Sequence, residues 1–432
     1  MNTLKRLQRL TGKPEPDLKK TSDKDETIGE LRRRVETIMS RRPTASSPPP
    51  ALFHGTPFTL ESLVNGKEME NDWGTFFLAH DILPGSHKHG RHHLHSIANV
   101  NMQSLSFLAN HPDIIHFKSS DALFLDTETT GLAGGTGTLP FLIGLGWFDG
   151  EDFITQQIFL RDFKEERAAL VFLLELAREK RFLVTFNGKA FDIGLLSTRL
   201  IMNRLHDSLS GLPHLDLLHP SRRLLGHRTD NSRLATLEES ILGLRRDGDL
   251  PGSEIPQRYF SWLKYRDARS MVDVFEHNRL DVISMVTLTI VLADILKSHN
   301  TTDYAEPYDL IAASRLMIDR GKSDEARSIL ETMIVAENRN IAREARRILS
   351  LIFKRAGLGD NAKIIWEMMI HDDPCDFFAA VELAKWFEHR ERDYKRAFKV
   401  VHHALSQSGN LNITERESLN HRLKRLQIRN NI

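Results

Sequence analysis

The sequence has one cysteine, Cys375, among 432 residues. A lone thiol cannot pair within its own chain, which excludes a disulfide-stapled scaffold and is the usage expected in a reducing compartment. No stretch of eighteen consecutive apolar residues occurs, so no membrane-spanning helix is expected. The basic segment Met1 to Leu10 is not followed by an apolar one, so no secretory signal is expected either. Together these absences predict a cytoplasmic protein. An excess of one charge is lacking too: 59 Lys and Arg against 58 Asp and Glu leave a net +1, which by itself points to no partner. What is present is ordinary. With 40% hydrophobic and 27% charged residues, the chain is neither wholly disordered nor collagenous.

Composition divides the chain. Residues 1–50 hold twelve Lys or Arg against seven Asp or Glu and end in Ser46-Ser47-Pro48-Pro49-Pro50, which reads as a polar disordered tail and linker. Within it, Ile28, Leu31, Val35 and Ile38 recur at helical spacing. Residues 51–120 read as an irregular extension. Its five histidines between His87 and His95 read as a flexible polar loop, because no cysteine pair or acidic partner completes a zinc site. From 121 to 300 apolar strands alternate with amphipathic helices, the pattern of an α/β domain. From 307 to 432 the pattern is helical throughout. There Gly321, Ala326 and Leu330 are echoed by Gly357, Ala362 and Trp366, and Ala397 with Val401 gives a third copy. A small residue recurring every 36 and then 35 residues resembles a tetratricopeptide array, a scaffold suited to a protein partner.

The chemistry-bearing residues lie in the α/β part. Ala122-Leu123-Phe124-Leu125 reads as a strand leading into Asp126-Thr127-Glu128, and side chains two apart on a strand share a face. Paired carboxylates repel unless something positive lies between them, and hard divalent cations favour such oxygen ligands. A second strand, Phe182 to Phe186, runs into Asn187-Gly188-Lys189-Ala190-Phe191-Asp192, which puts Asp192 at a helix start. A third segment, Glu276 to Ser284, lies in a helix running to about Leu296 and places His277 and Asp281 one turn apart.

In order and spacing, Asp126-x-Glu128, Asn187 to Asp192 and His277 to Asp281 resemble the three motifs of the DEDD superfamily of 3′–5′ exonucleases. The run Leu125 to Gly137 and the segment His214 to Arg223 are similar to the YprB-type ribonuclease H-like proteins of bacteria. The resemblance covers roughly residues 121–297 and implies a ribonuclease H-like domain, a mixed central sheet flanked by helices, followed by the helical repeats. It implies a metal-dependent nuclease that hydrolyses phosphodiester bonds from the 3′ end of single-stranded DNA or RNA. Asp126, Glu128, Asp192 and Asp281 would hold two Mg²⁺ or Mn²⁺ ions, and His277 would orient or deprotonate the attacking water. Asn187 and Lys189 would touch substrate phosphate beside Asp192.

One feature departs from that pattern: the superfamily carries either tyrosine three residues clear of the last Asp or histidine four residues clear of it, and here His277 stands at the tyrosine spacing, three residues clear of Asp281. The alternative is a catalytically weak or inactive nucleic-acid-binding or scaffold protein with the same fold. A haloacid-dehalogenase phosphatase would need Asp in place of Glu128 and leaves the other two motifs unexplained. Among other polar residues, Asp216 reads as a helix cap and Thr236 to Glu239 as a capping box without chemistry. Arg222, Arg223, Arg228 and Arg233 form a group suited to a nucleic-acid groove. Gly134-Gly135-Thr136-Gly137 lacks the ending of a phosphate loop and reads as a connection between strands.

Overall fold

In a computed structural model the described residues are 56–131, 137–246, 248–297, 305–407 and 411–430. The tail 1–50 and the residues Gly134 to Thr136 lie outside them.

Seven strands form one mixed sheet: β1 (Gly66–Asn71), β2 (Gly74–Leu83), β5 (Ala122–Thr129), β6 (Pro140–Asp149), β7 (Asp152–Phe159), β8 (Phe182–Thr185) and β9 (His214–Asp216). Their order across the sheet is β1-β2-β7-β6-β5-β8-β9. The β6–β7 hairpin turns through Gly150, at φ 59°, which a tight two-residue hairpin loop requires and glycine adopts without steric cost. Strand β8 then returns parallel to β5, a connection that needs a crossover, here helix α3 (Glu166–Ala177). Helices α1 (Leu60–Leu63) and α2 (Met102–Ala109) precede the central strand, and α4 (Asp192–Met202), α5 (Leu218–Leu225), α6 (Leu234–Leu237), α7 (Ile255–Tyr265) and α8 (Val272–Lys297) complete this part. A mixed sheet flanked by helices is the architecture expected for it.

Among its described residues, 56–120, the stretch read as an irregular extension is not irregular. The β1–β2 hairpin extends the sheet by pairing β2 antiparallel to β7. The histidine tract is not a flexible loop either: β3 (Lys88–His89) pairs with β4 (His92–His93), and His89 and His92 are buried. His89 Nε2 lies 2.7 Å from Ser284 Oγ on α8, and burial pushes its imidazole down to about 4, so the ring is neutral.

Helix α8 is the pivot of the molecule. Its N-terminal half lies on β5, β6 and β7, and its C-terminal half is largely apolar and buried, with Asp294 half-buried and Lys297 exposed. Gly144 and Gly146 on β6 let it come close: a Cβ at Gly144 would lie 2.3 Å from Asn278 Oδ1, and one at Gly146 2.6 Å from Val282 Cγ1. Although long, α8 carries no membrane-spanning segment, and no helix among the described residues is long and apolar enough to cross a membrane.

The remaining helices are α9 (Pro307–Asp319), α10 (Ser323–Met333), α11 (Arg339–Arg355), α12 (Gly359–Asp372), α13 (Phe377–Trp386), α14 (Tyr394–Ser406) and α15 (Ile413–Asn430), each packed on the next. The recurrent Ala326, Ala362 and Ala397 sit on α10, α12 and α14 and are fully buried, where only a small side chain lets neighbouring helices close up. The helical part shares its apolar core with α8 and one face of the sheet. Two of the four arginines assigned to a groove, Arg223 and Arg228, pair with acids at this junction, while Arg222 and Arg233 are exposed. Arg223 pairs with Asp319, and Arg228 pairs with Glu306 and with Asp309, at 2.9 Å each. The Asp309 carboxylate is fully buried and also faces His227 Nε2 at 3.0 Å. Replacing Asp309 with Ala leaves Arg228 in a largely buried site without its main partner. It should cost about 3–5 kcal/mol in a urea titration.

Candidate active site

Strand alternation sends Asp126 and Glu128 from β5 to one face, where the N-terminal half of α8 crosses. From that helix His277 and Asp281 point into the same crevice, with His277 Nε2 at 3.9 Å from Glu128 Oε1 and 3.6 Å from Asp281 Oδ2. The side chains of Glu128, His277 and Asp281 keep 14–18% of their surface exposed, enough for a substrate atom to reach. Asp192 opens α4 and approaches β5 from the strand's end, where the Thr127 hydroxyl donates to its Oδ1.

The charges in this crevice are unbalanced. Burial, then the charges of Asp281 and Asp192, hold Asp126 well above the usual carboxylate range, against an opposing hydrogen bond from Asn278. Burial, then Asp126, Asp281 and Asp192, does the same to Glu128. Burial pushes Asp192 up to about 6, although Thr127 and backbone hydrogen bonds oppose it.

Lys189 and Asn187 lie on the loop into α4. Asn187 takes φ 67°, and its backbone N–H, with those of Lys189 and Leu218, donates to the Asp216 carboxylate at 2.8, 3.0 and 3.1 Å. Asp216 is therefore a cap, as expected, and it also fixes the loop that delivers Asp192. Lys189 is exposed.

Several residues escaped sequence reasoning. Asn278, fully buried, donates through Nδ2 to Asp126 Oδ2 at 2.8 Å, while Gln157 Nε2 donates to Asn278 Oδ1 at 2.8 Å and so fixes which way the amide faces. The two glycines of Gly144-Leu145-Gly146 inside an apolar strand were the readable signal, since glycine in a strand interior marks close approach by another element. Arg246 spans Asp281 and the buried Glu238, so the segment read as a capping box without chemistry carries an acid that anchors the site's own cation. Asp249 Oδ1 lies 2.8 Å from His277 Nδ1. Nothing in the local sequence marks these three.

A family model of the RNase_H superfamily matches residues 123–293, the segment that carries all of these side chains. The chain is 32% identical over 352 residues to the uncharacterized protein YprB of Bacillus subtilis (strain 168), covering 79% of this chain and 83% of that protein. The chain belongs to the YprB family. Family membership here extends well beyond the sheet, since the aligned length exceeds the superfamily segment by far.

Among the described residues no three Asp, Glu, His or Cys side chains are drawn together tightly enough to form a ready-made metal cluster. The donor set nonetheless suits a hard divalent cation. Its members are oxygen ligands, its three most buried carboxylates are all held above their ordinary range, and Arg246 is paired with only Asp281 among the four acids.

Proposed function

We propose that this YprB-family chain is a metal-dependent nuclease, a 3′–5′ exonuclease of the DEDD type acting on single-stranded DNA or RNA. One observation supports the reading: burial and the charges of Asp281 and Asp192 raise Asp126, and burial and the charges of Asp126, Asp281 and Asp192 raise Glu128, so four carboxylates from three distant segments act on one another in one crevice. A structural role would not favour that arrangement, because mutual repulsion of buried acids destabilises the fold.

In this reading Asp126, Glu128, Asp192 and Asp281 hold two Mg²⁺ or Mn²⁺ ions. Such ions, when bound, activate a water and stabilise the leaving oxygen of a phosphodiester. His277 Nε2, facing Glu128 and Asp281, orients that water and takes its proton. Asn278 holds Asp126 in one orientation, and Lys189 at the mouth attracts substrate phosphate. The C-terminal helices, as tetratricopeptide-like repeats, offer a surface to a protein partner. A second reading, a weak or inactive scaffold, is favoured by the Arg246 pair, which already neutralises Asp281.

Metal addition separates the two, and pH gives the sign. Asp192 titrates near 6 in the fold against an ordinary 3.8, and Asp126 and Glu128 are also raised. Without metal, the unfolded chain gives up these protons first, so stability falls as pH rises from about 4 through about 6. Metal binding needs the ionised acids, so the thermal shift given by Mn²⁺ should grow between about pH 5.5 and pH 7.5. Differential scanning fluorimetry at both pH values, beside end-labelled DNA and RNA cleavage, checks this. A Mn²⁺ shift absent at both would leave the scaffold reading in its place.

A further inference from the structure

We propose that Asp249 is the positioning residue for His277, fixing the imidazole with its proton on Nδ1 and its Nε2 lone pair toward the acidic crevice. The inference rests on the nuclease reading above for its consequence, though not for its geometry. A carboxylate accepts and does not donate, so the 2.8 Å contact between Asp249 Oδ1 and His277 Nδ1 requires the proton on Nδ1. On the other side of the ring, Nε2 faces Asp281 Oδ2 at 3.6 Å and Glu128 Oε1 at 3.9 Å. Those two carboxylates would attract an N–H placed on Nε2, but both lie beyond hydrogen-bonding distance. Distance decides the competition in favour of Asp249. The neutral ring is thereby left with an acceptor aimed where a water must sit to lose its proton.

Asp249 is itself held. Arg246 Nη1 approaches it at 3.6 Å, and the same guanidinium is anchored by Glu238, whose side chain is 1% exposed. A chain of charge thus runs from Glu238 through Arg246 to Asp249 and ends on the imidazole. It supplies from outside α8 the orientation that His277 lacks on its own helix, where its neighbour Asp281 lies on the Nε2 side.

The test reads the tautomer directly in the full-length chain. Two-bond ¹H–¹⁵N correlation spectra of ¹⁵N-labelled protein, at a pH where the ring is neutral, distinguish the two tautomers. The His277→Gln variant assigns the signal among the 20 histidines. Wild type should show the Nδ1–H form. Asp249→Asn keeps the size of the side chain but can donate to Nδ1, and it should turn the ring to the Nε2–H form. Its kcat for Mn²⁺-dependent oligonucleotide cleavage should fall by about 10–100-fold with KM within about twofold, the usual effect of losing an outer partner that orients a site residue. Asp249→Glu should recover most of that loss. An Nε2–H ring in wild type overturns the proposal without recourse to any variant. So does an Asp249→Asn variant whose tautomer turns while its kcat stays put. A wild type that shows the Nδ1–H ring but cleaves nothing overturns the nuclease reading and leaves the positioning standing.

Discussion

Asp126→Asn should abolish Mn²⁺-dependent cleavage and, in the absence of metal, raise the melting temperature. The two effects have one cause. Asp126 is held well above the usual carboxylate range by burial and by Asp281 and Asp192, so its ionised form is a burden on the metal-free fold. An amide removes that charge at constant volume and can still accept the Asn278 Nδ2 hydrogen bond through its oxygen. The expected gain is about 1–3 °C, modest because a chain of this length has a large unfolding entropy. The same change removes a ligand from the centre of the acid set, and with it the Mn²⁺ thermal shift. Scanning fluorimetry and product gels on one preparation read both effects. A variant that cleaves at the wild-type rate, once a contaminating nuclease is excluded, would remove the basis for the two-metal reading.

His277→Ala should lower the rate by about 10²–10⁴-fold, the usual contribution of a general base, while leaving metal binding in place. The imidazole reaches neither Glu128 nor Asp281 within hydrogen-bonding distance, so its removal does not disturb the acid set. Asp249 loses a partner but keeps Arg246 at 3.6 Å, so the fold should tolerate the change. His277→Tyr is the sharper comparison, because tyrosine is a residue that the resemblance to DEDD exonucleases implies at this spacing. A phenol at this position should recover part of the lost rate. Single-turnover cleavage of an end-labelled oligonucleotide at saturating Mn²⁺ measures all three. If alanine and histidine cleave equally fast, the ring is structural, and Asp249 then positions nothing that reacts.

The local part of this protein is written in its local sequence. Alternation alone puts Asp126 and Glu128 on one face of β5, and a four-residue step alone puts His277 and Asp281 on one side of α8. Asp192 follows from the break between an apolar strand and an amphipathic helix. These are short-range periodicities, fixed by backbone geometry before any tertiary contact forms. The alternation of apolar strands with amphipathic helices, followed by further helices, was legible for the same reason, whereas the mixed sheet was what the resemblance to ribonuclease H-like proteins implied. What the periodicities do not carry is partnership. Asn278 meets Asp126 across 152 residues, Arg246 meets Asp281 across 35, and Asp249 meets His277 across 28. Each depends on where α8 lies on the sheet, which the packing at Gly144 and Gly146 decides. The histidine tract and the β1–β2 hairpin went unread for a related reason: polar or mixed segments reveal a buried or paired state only once the surface that covers them is known. The sequence alone therefore named the candidate site residues. Tertiary structure decided which way each of them faces, because orientation is set by neighbours that the chain brings in from far away.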